Sequence, residues 1–294
     1  MSWIQWRLNI NGEASEPLEA LLMDSGAVSI TYQDAADRPV LEPDPGEIRL
    51  WDELILIALF AGEVDGRQIE ASLSELPIWQ QVNDSHWEML EDRDWVRAWM
   101  DDFKPMQFGQ KLWICPTTYT PPNPEAVNIL LDPGLAFGTG THPTTALCLE
   151  YLEESIRGGE TIVDFGCGSG ILAIAAVKLG AARAIGTDHD PQAIIASREN
   201  ADRNDVSETQ FPVFLSDDFH TEVCDGVIAN ILAATLKELA EDIVHLIRPG
   251  GWIAMSGILK SQADSVMAIY HDWIDFDKPT IMEDWVLLTG NKKT

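Results

Sequence analysis

Four segments carry residues whose types and spacing could do chemistry. The first, Val163-Asp164-Phe165-Gly166-Cys167-Gly168-Ser169-Gly170, reads as a strand that runs into a glycine turn and opens a helix. Glycines let the backbone turn tightly and approach a ligand, and the free N–H groups of a helix start offer polar contacts. A dinucleotide-binding turn would read Gly-x-Gly-x-x-Gly, but here the third glycine comes one residue early and an acid stands two residues before the first. No lysine has the spacing of a phosphate-binding P-loop. The second segment, Gly186-Thr187-Asp188-His189-Asp190, closes the next strand about twenty residues on, where an acid can accept both hydroxyls of a ribose. Asp188 directly follows that strand, whereas Asp190 precedes Pro191 and can instead cap the next helix. In the third, Val227-Ile228-Ala229-Asn230-Ile231-Leu232, a polar Asn230 ends an apolar strand, where open sheets place their ligands; the bland alternative is a cap on the following helix. The fourth, Leu131 to Thr145, is a loop with three glycines around Phe137 and His142 that ends at a helix start near Pro143.

These segments need a scaffold, and the hydrophobic pattern supplies one. Strands are expected over 161–165, 184–187, 226–229 and 252–255, alternating with helices over 171–179, 191–204, 233–246 and 261–270, an order that makes a parallel sheet. The strands 273–276 and 286–289 then close it as an antiparallel pair. Nearer the start, Ile4, Trp6, Leu8 and Ile10 alternate with polar residues, and a helix follows with Ser15 as N-cap, Pro17 in its first turn and Gly26 as a left-handed stop. Strands from Val28 to Tyr32 and within 54–60, a helix over 67–76 and a short strand over 87–90 complete the split pattern of a ferredoxin-like sandwich. Trp95 and Trp99, four residues apart, suggest a short helix, and Pro116, Pro121, Pro122 and Pro124 disfavour regular structure. The expected division is a small α+β domain over 1–92, a linker helix and Pro-rich connection over 93–125, and an α/β domain over 126–294.

Composition narrows the partners. The 294 residues hold 48 acidic and 19 basic side chains, a formal net charge of -29, which repels phosphate backbones and argues against stable nucleic-acid binding. With 46% hydrophobic residues the chain is too apolar to be a disordered acidic tail. Met1 to Asn11 lacks the basic segment and apolar core of a signal peptide, and the longest apolar run, Leu54 to Ala61, falls short of the roughly 20 residues that span a bilayer. Cys115, Cys148, Cys167 and Cys224 form no Cys-x-x-Cys pair, which fits reduced thiols in a cytoplasm and no metal site.

The turn Asp164 to Gly170 resembles motif I of the class I methyltransferases that bind S-adenosylmethionine, a cofactor with no phosphate to cradle. Taken with Leu131 to Thr145, Asp188 and Asn230-Ile231-Leu232, the likeness is to the methyltransferases of large-subunit ribosomal protein eleven, over residues 126 to 294. The resemblance implies a Rossmann-like domain with a mostly parallel seven-stranded sheet, preceded by a ferredoxin-like substrate-recognition domain. It places Thr145, Gly166, Gly168, Asp188 and Asn230 at the cofactor, and Phe137 to His142 in a loop over cofactor and incoming amine. It further implies a cytoplasmic enzyme, expected as a monomer, that methylates a basic ribosomal protein at its N-terminal α-amine and at lysine side chains. One departure is His189, where relatives commonly carry an aliphatic residue.

Methyl transfer from a sulfonium asks the protein chiefly for positioning, but the amine must first lose its proton. A lysine titrates at about 10.4 and an α-amine at about 7.7 to 8.0, so apolar and neutral polar groups are expected at the acceptor site, with acids outside it. Asn230 can accept from the amine, with a neighbouring backbone carbonyl beside it. Phe137 can face the sulfonium, and His142 can relay a proton or merely fix the loop. Cys167 lacks a companion base, and Asp132 and Asp164 suit loop anchoring and turn geometry. Two competing readings are an adenine-N6 methyltransferase, whose Asn-Pro-Pro-Tyr-like motif would need prolines and an aromatic absent after Asn230, and a non-catalytic binding protein on the same scaffold.

Overall fold

The structure, a computed structural model, describes residues 3–35, 51–90, 103–132, 142–220 and 223–294, which fall into two compact units, Met1–Ala98 and Trp99–Thr294. The smaller unit runs β1 (Trp3–Asn11), α1 (Ser15–Asp24), β2 (Ser29–Asp34), β3 (Glu53–Ala61), α2 (Gly66–Ser74) and β4 (Val82–Leu90). Its sheet is antiparallel in the order β2-β3-β1-β4, the ferredoxin-like arrangement. Alternation decides the faces: Trp6, Leu8 and Ile10 of β1 are buried with Leu54, Leu56, Ala58 and Phe60 of β3, against Leu18 and Leu22 of α1 and Leu73 of α2. Trp6 stacks on Trp87 with ring centroids 4.6 Å apart. Ser15 is not the N-cap expected of it. It is the first residue of α1, and its hydroxyl donates back to Gly12 O at 2.7 Å, bracing the 3-10 turn before the helix.

The larger unit begins inside the span expected to be an irregular connection. Strands β5 (Met106–Phe108) and β6 (Leu112–Cys115) pair antiparallel, and β6 pairs in parallel with β7 (Val127–Leu130). Phe108, Leu112, Ile114 and Ile129 are buried in the core of this unit. The four prolines do not abolish structure there; they punctuate the segment between β6 and β7. Trp95 and Trp99 lie outside the described residues.

The main sheet carries β8 (Thr161–Phe165), β9 (Arg183–Asp188), β10 (Val213–Leu215), β11 (Cys224–Asn230), β12 (Ile247–Leu259), β13 (Ile274–Phe276), β14 (Thr280–Met282) and β15 (Trp285–Lys292). Its order is β10-β9-β8-β11-β12-β15-β13, parallel from β10 to β12, with β15 antiparallel to β12. Seven strands were expected and eight are present among the described residues: β14 joins β13 on β15, pairing with its other end. The helix α3 (Pro143–Ser155) precedes β8, and between the later strands run α4 (Ile171–Leu179), α5 (Pro191–Arg203), α6 (Ala233–Glu238), α7 (Ala240–Leu246) and α8 (Ala263–Tyr270). Successive strand residues serve opposite cores: Ile162, Ala184 and Ile228 face α3 and α4, while Val163, Ile185 and Val227 join α6, α7 and α8. Every residue from Ile171 to Val177 of α4 is buried, so this helix is apolar all round. Strand order reverses between β8 and β11, and a crevice at such a switch point, outside the carboxyl ends of the strands, is where open α/β sheets bind ligands. Among the described residues no helix is long and apolar enough to cross a membrane.

Candidate active site

The glycine turn leaves β8 and starts α4. Gly166, Gly168 and Gly170 all have positive φ, at 78°, 53° and 77°, a conformation that disfavours any side chain. Space forbids one as well: a Cβ on Gly166 would lie 2.3 Å from Ile231 Cγ2, and one on Gly170 2.8 Å from the Phe211 ring. The turn is tied to β9 by two bonds, Gly166 N and Cys167 N both donating to Thr187 O at 2.8 and 3.0 Å.

Asp188 ends β9 and is buried. Its Oδ2 accepts from Gly168 N at 2.9 Å and its Oδ1 from Asp190 N at 3.0 Å, so the carboxylate is oriented from both sides. A carboxylate offers about four lone-pair sites, which leaves about two for the hydroxyls of a ribose. Asp190 takes the other role open to it and caps α5, accepting from Gln192 N at 2.8 Å. His189 approaches Asp188 Oδ1 at 3.4 Å, but its side chain is 94% exposed, so it contributes little packing.

Polar residues of α5 support the turn from below, a feature that sequence reasoning missed. Ser197 Oγ donates to Gly168 O at 2.9 Å and Asn200 Nδ2 to Ser169 O at 2.8 Å. Just past the helix, Asn204 accepts from Leu130 N at 2.7 Å and donates to Leu130 O at 2.8 Å, pairing with the end of β7 as a strand would. All three side chains are buried. Their spacing of three and four residues on one helical face was the available signal. Ser216–Asp218, a 3-10 turn directly after β10, was also missed; Leu215 pairs with Asp188, which sets this acidic turn beside the Asp188 carboxylate.

Asn230 ends β11 across the switch point from the glycine turn. It does not cap the next helix, whose N-cap is Leu232; its Nδ2 donates instead to Thr145 Oγ1 on α3 at 3.3 Å. His142 is the N-cap of α3. Its Nδ1 accepts from Thr144 N at 3.3 Å and lies 2.7 Å from Thr144 Oγ1, so the neutral ring carries its proton on Nε2. Burial lowers its pKa, and only Glu283 opposes this. The one lone pair a base would use is the one that caps the helix, which removes the geometric basis for a proton relay at His142. The ring also meets Trp285 edge-on at 4.8 Å. Phe137 and the loop 133–141 lie outside the described residues.

Two acids anchor rather than react. Asp132 holds the chain after β7 by accepting from Thr117 N and Thr117 Oγ1, at 2.8 and 2.7 Å. Asp164 sits beneath the glycine turn, where its Oδ2 accepts from Ala173 N at 3.1 Å and its Oδ1 is buried with no hydrogen-bond partner among the described residues. Burial raises its pKa to about 7, partly offset by the Ala173 bond and reinforced by Asp188. Cys167 is buried and the same desolvation pushes its thiol far up, which excludes a thiolate nucleophile.

A glycine cradle without a lysine, an oriented carboxylate with spare lone pairs at the end of the adjacent strand, and a neutral amide facing them across the crevice fit a nucleoside cofactor that carries no phosphate. Comparison with known proteins agrees. Residues 2–293 match the family described as ribosomal protein L11 methyltransferase (PrmA). A ribosomal protein L11 methyltransferase of Serratia proteamaculans is 52% identical over 294 residues, all of both chains, and that of Pseudomonas aeruginosa is 50% identical over all of this chain and 99% of its own. The crystal structure of a ribosomal protein L11 methylase from Lactobacillus delbrueckii subsp. bulgaricus superposes with a TM-score of 0.59 at 29% identity, covering 65% of this chain and 99% of that one. The chain belongs to the ribosomal protein L11 methyltransferase family, enzymes that draw their methyl group from S-adenosylmethionine.

Proposed function

We propose that this methyltransferase modifies ribosomal protein L11 at its N-terminal α-amine and at lysine ε-amines, with the smaller unit reading the protein and the larger one performing the transfer. The observation that carries the reading is the pairing of Asn230 with Thr145 beside the glycine turn and Asp188. S-adenosylmethionine supplies a methyl group on a positively charged sulfur, a good leaving group. Asp188 would hold the ribose, and Gly166 and Gly168 would let the backbone lie against the rest of the cofactor.

The chain's own task is to present a neutral amine in line. Because Thr145 accepts an N–H of the Asn230 amide and so orients it, the side-chain carbonyl of Asn230 is left to accept from the amine, and the backbone carbonyl of Ile231 next to it offers a second acceptor. Neither group is charged, so neither stabilises the ammonium form as a carboxylate would. Asp164, held near pKa 7 by burial, adds less negative charge to this region than an ordinary aspartate. The reading carries with it a cytoplasmic monomer with no stable hold on nucleic acid, which the net charge of -29 favours, and the same charge steers a basic protein toward the enzyme.

Transfer of tritium from labelled cofactor into a mixture of ribosomal proteins and ribosomal RNA tests the proposal. Label is expected in L11, and mass spectrometry of that band should locate it on the α-amine and lysines; label confined to RNA or to another protein would overturn it.

A further inference from the structure

We propose that Gly257 is a positioning residue for methyl transfer, one that sets the Ile231 carbonyl at the acceptor end of β11; the inference rests on the functional reading above. The pairing of β11 with β12 ends at Asn230 opposite Ser256, so Gly257 is the next residue, level with Ile231. The register between β12 and β15 slips between Met255 and Ile258, a bulge that re-aims the chain at this point. Gly257 has φ of 81°, and a Cβ there would lie 2.3 Å from the Ile231 oxygen, 2.8 Å from its carbon and 3.2 Å from its nitrogen. Unlike the contact at Gly170, this one is with backbone, which no rotamer change can relieve.

Ile231 is held from the other side too. Its Cγ2 occupies the space that a side chain on Gly166 would need, at 2.3 Å from the Cβ position. Two left-handed glycines, one in the cofactor turn and one in the bulge of β12, therefore clasp a single residue between them. The clasp fixes how far the Ile231 carbonyl stands from the turn that would carry the methyl donor. A methyl group at 257 would intrude about 1 Å inside ordinary contact and displace that carbonyl, and a misplacement of about 1 Å can cost a transfer reaction on the order of 100-fold. The clash of a side chain at 257 falls on the Ile231 backbone alone, so the effect is expected on the acceptor side.

Gly257→Ala in the full chain is the test, read by single-turnover methylation of L11, by KM for L11 and by cofactor affinity from calorimetry. The expected result is a rate lower by about 100-fold with both affinities within about threefold of wild type. Gly250→Ala is the control for backbone strain: Gly250 lies on the same strand with φ of 71°, but a Cβ there meets nothing closer than Arg248 at 4.0 Å. Its rate should stay at the wild-type level. A Gly257→Ala rate near wild type, a parallel loss of cofactor affinity, or an equal loss in Gly250→Ala would each overturn the proposal. Should Gly257→Ala fail to fold, Ile231→Leu carries the test, since leucine keeps the volume but lacks the Cγ2 that seats on Gly166. A rate loss of about tenfold at unchanged affinities supports the clasp, and a wild-type rate overturns it. Absence of label in L11 with the unsubstituted enzyme would instead defeat the functional reading itself, before any substitution is made.

Discussion

Asn230 at the end of β11 donates its side-chain amide to Thr145 Oγ1 on α3, at 3.3 Å. The bond reaches across 85 residues of sequence and joins the last residue of one strand to the first turn of a helix on the sheet's face. It decides which end of the amide is free. Thr145→Val keeps shape but removes the acceptor, so the amide is no longer held and either end can present itself. The kcat for L11 should fall about tenfold, roughly 1.4 kcal/mol, and Thr145→Ser should restore most of it. A wild-type rate in the valine variant with a loss in the serine variant would show that bulk rather than the hydroxyl matters.

Asp188 has both carboxylate oxygens on backbone N–H groups, those of Gly168 and Asp190. Asp188→Asn sets an amide NH2 against one of these donors and removes the charge that would strengthen bonds to the ribose. Cofactor affinity by calorimetry should weaken by at least about 100-fold, roughly 2.7 kcal/mol, as expected for charge-assisted hydrogen bonds lost. Asp188→Ala should abolish binding with the circular-dichroism spectrum intact. Wild-type affinity in either variant would refute the ribose assignment.

As the N-cap of α3, His142 separates a structural role from a chemical one. Asparagine is a good N-cap and a poor base, whereas alanine is neither. His142→Asn should therefore keep activity within a few-fold of wild type, and His142→Ala should lower unfolding stability by about 1 kcal/mol. The sign of its titration follows from burial: a depressed histidine pKa means that the unfolded chain takes up the proton first, so the stability tied to this group is lost as pH falls through the ordinary histidine range near 6.5. Denaturant melts at pH 5 and 8 check this, since His142→Asn should reduce the drop between them. A kcat lost equally in both variants would restore His142 as a base.

The smaller unit is expected to act on the protein substrate alone. Removing residues 1–98 at the boundary between the two compact units should leave cofactor affinity near wild type, because the glycine turn, Asp188, Thr145 and Asn230 all lie in the larger one. Methylation of L11 should be lost. Normal methylation by the truncated enzyme would remove the recognition role from that unit.

The glycine turn, Asp188 and Asn230 were legible in the sequence because each joins an apolar strand to a residue type that has few other uses there. The ferredoxin-like order was legible for the same reason, since strands such as β1 alternate apolar and polar residues from Ile4 to Ile10. Strands β5 and β6, of three and four residues, are too short to show a period, and the prolines after them read as an irregular connection between domains. Ser197, Asn200 and Asn204 look like the solvated face of an amphipathic helix until their backbone partners are seen. Histidine seldom caps a helix, so Pro143 drew attention to a turn and hid the cap before it. Gly257 lies just beyond the strand expected over 252–255, and a glycine there carries no hint of what its backbone touches.

Asp164 gives the clearest link between pH and stability. It is buried, one oxygen bonds Ala173 N, and the other has no partner among the described residues. Burial, first among the causes, raises its pKa from 3.8 to about 7. Between those two values the folded chain holds a proton that the unfolded chain has released, so this group's contribution falls as pH rises, from about 4 until the folded form ionises near 7. Above that it carries a penalty on the order of 4 kcal/mol, from about 1.4 kcal/mol for each unit of the raised pKa. Asp164→Asn keeps the acceptor for Ala173 and cannot ionise. Its stability relative to wild type, from urea melts at pH 4, 5.5, 7 and 8, should therefore climb across the series and level off above about 7. A difference that does not change with pH would mean that Asp164 ionises as readily folded as unfolded, and a difference that shrinks would mean that its charge is stabilised in the turn.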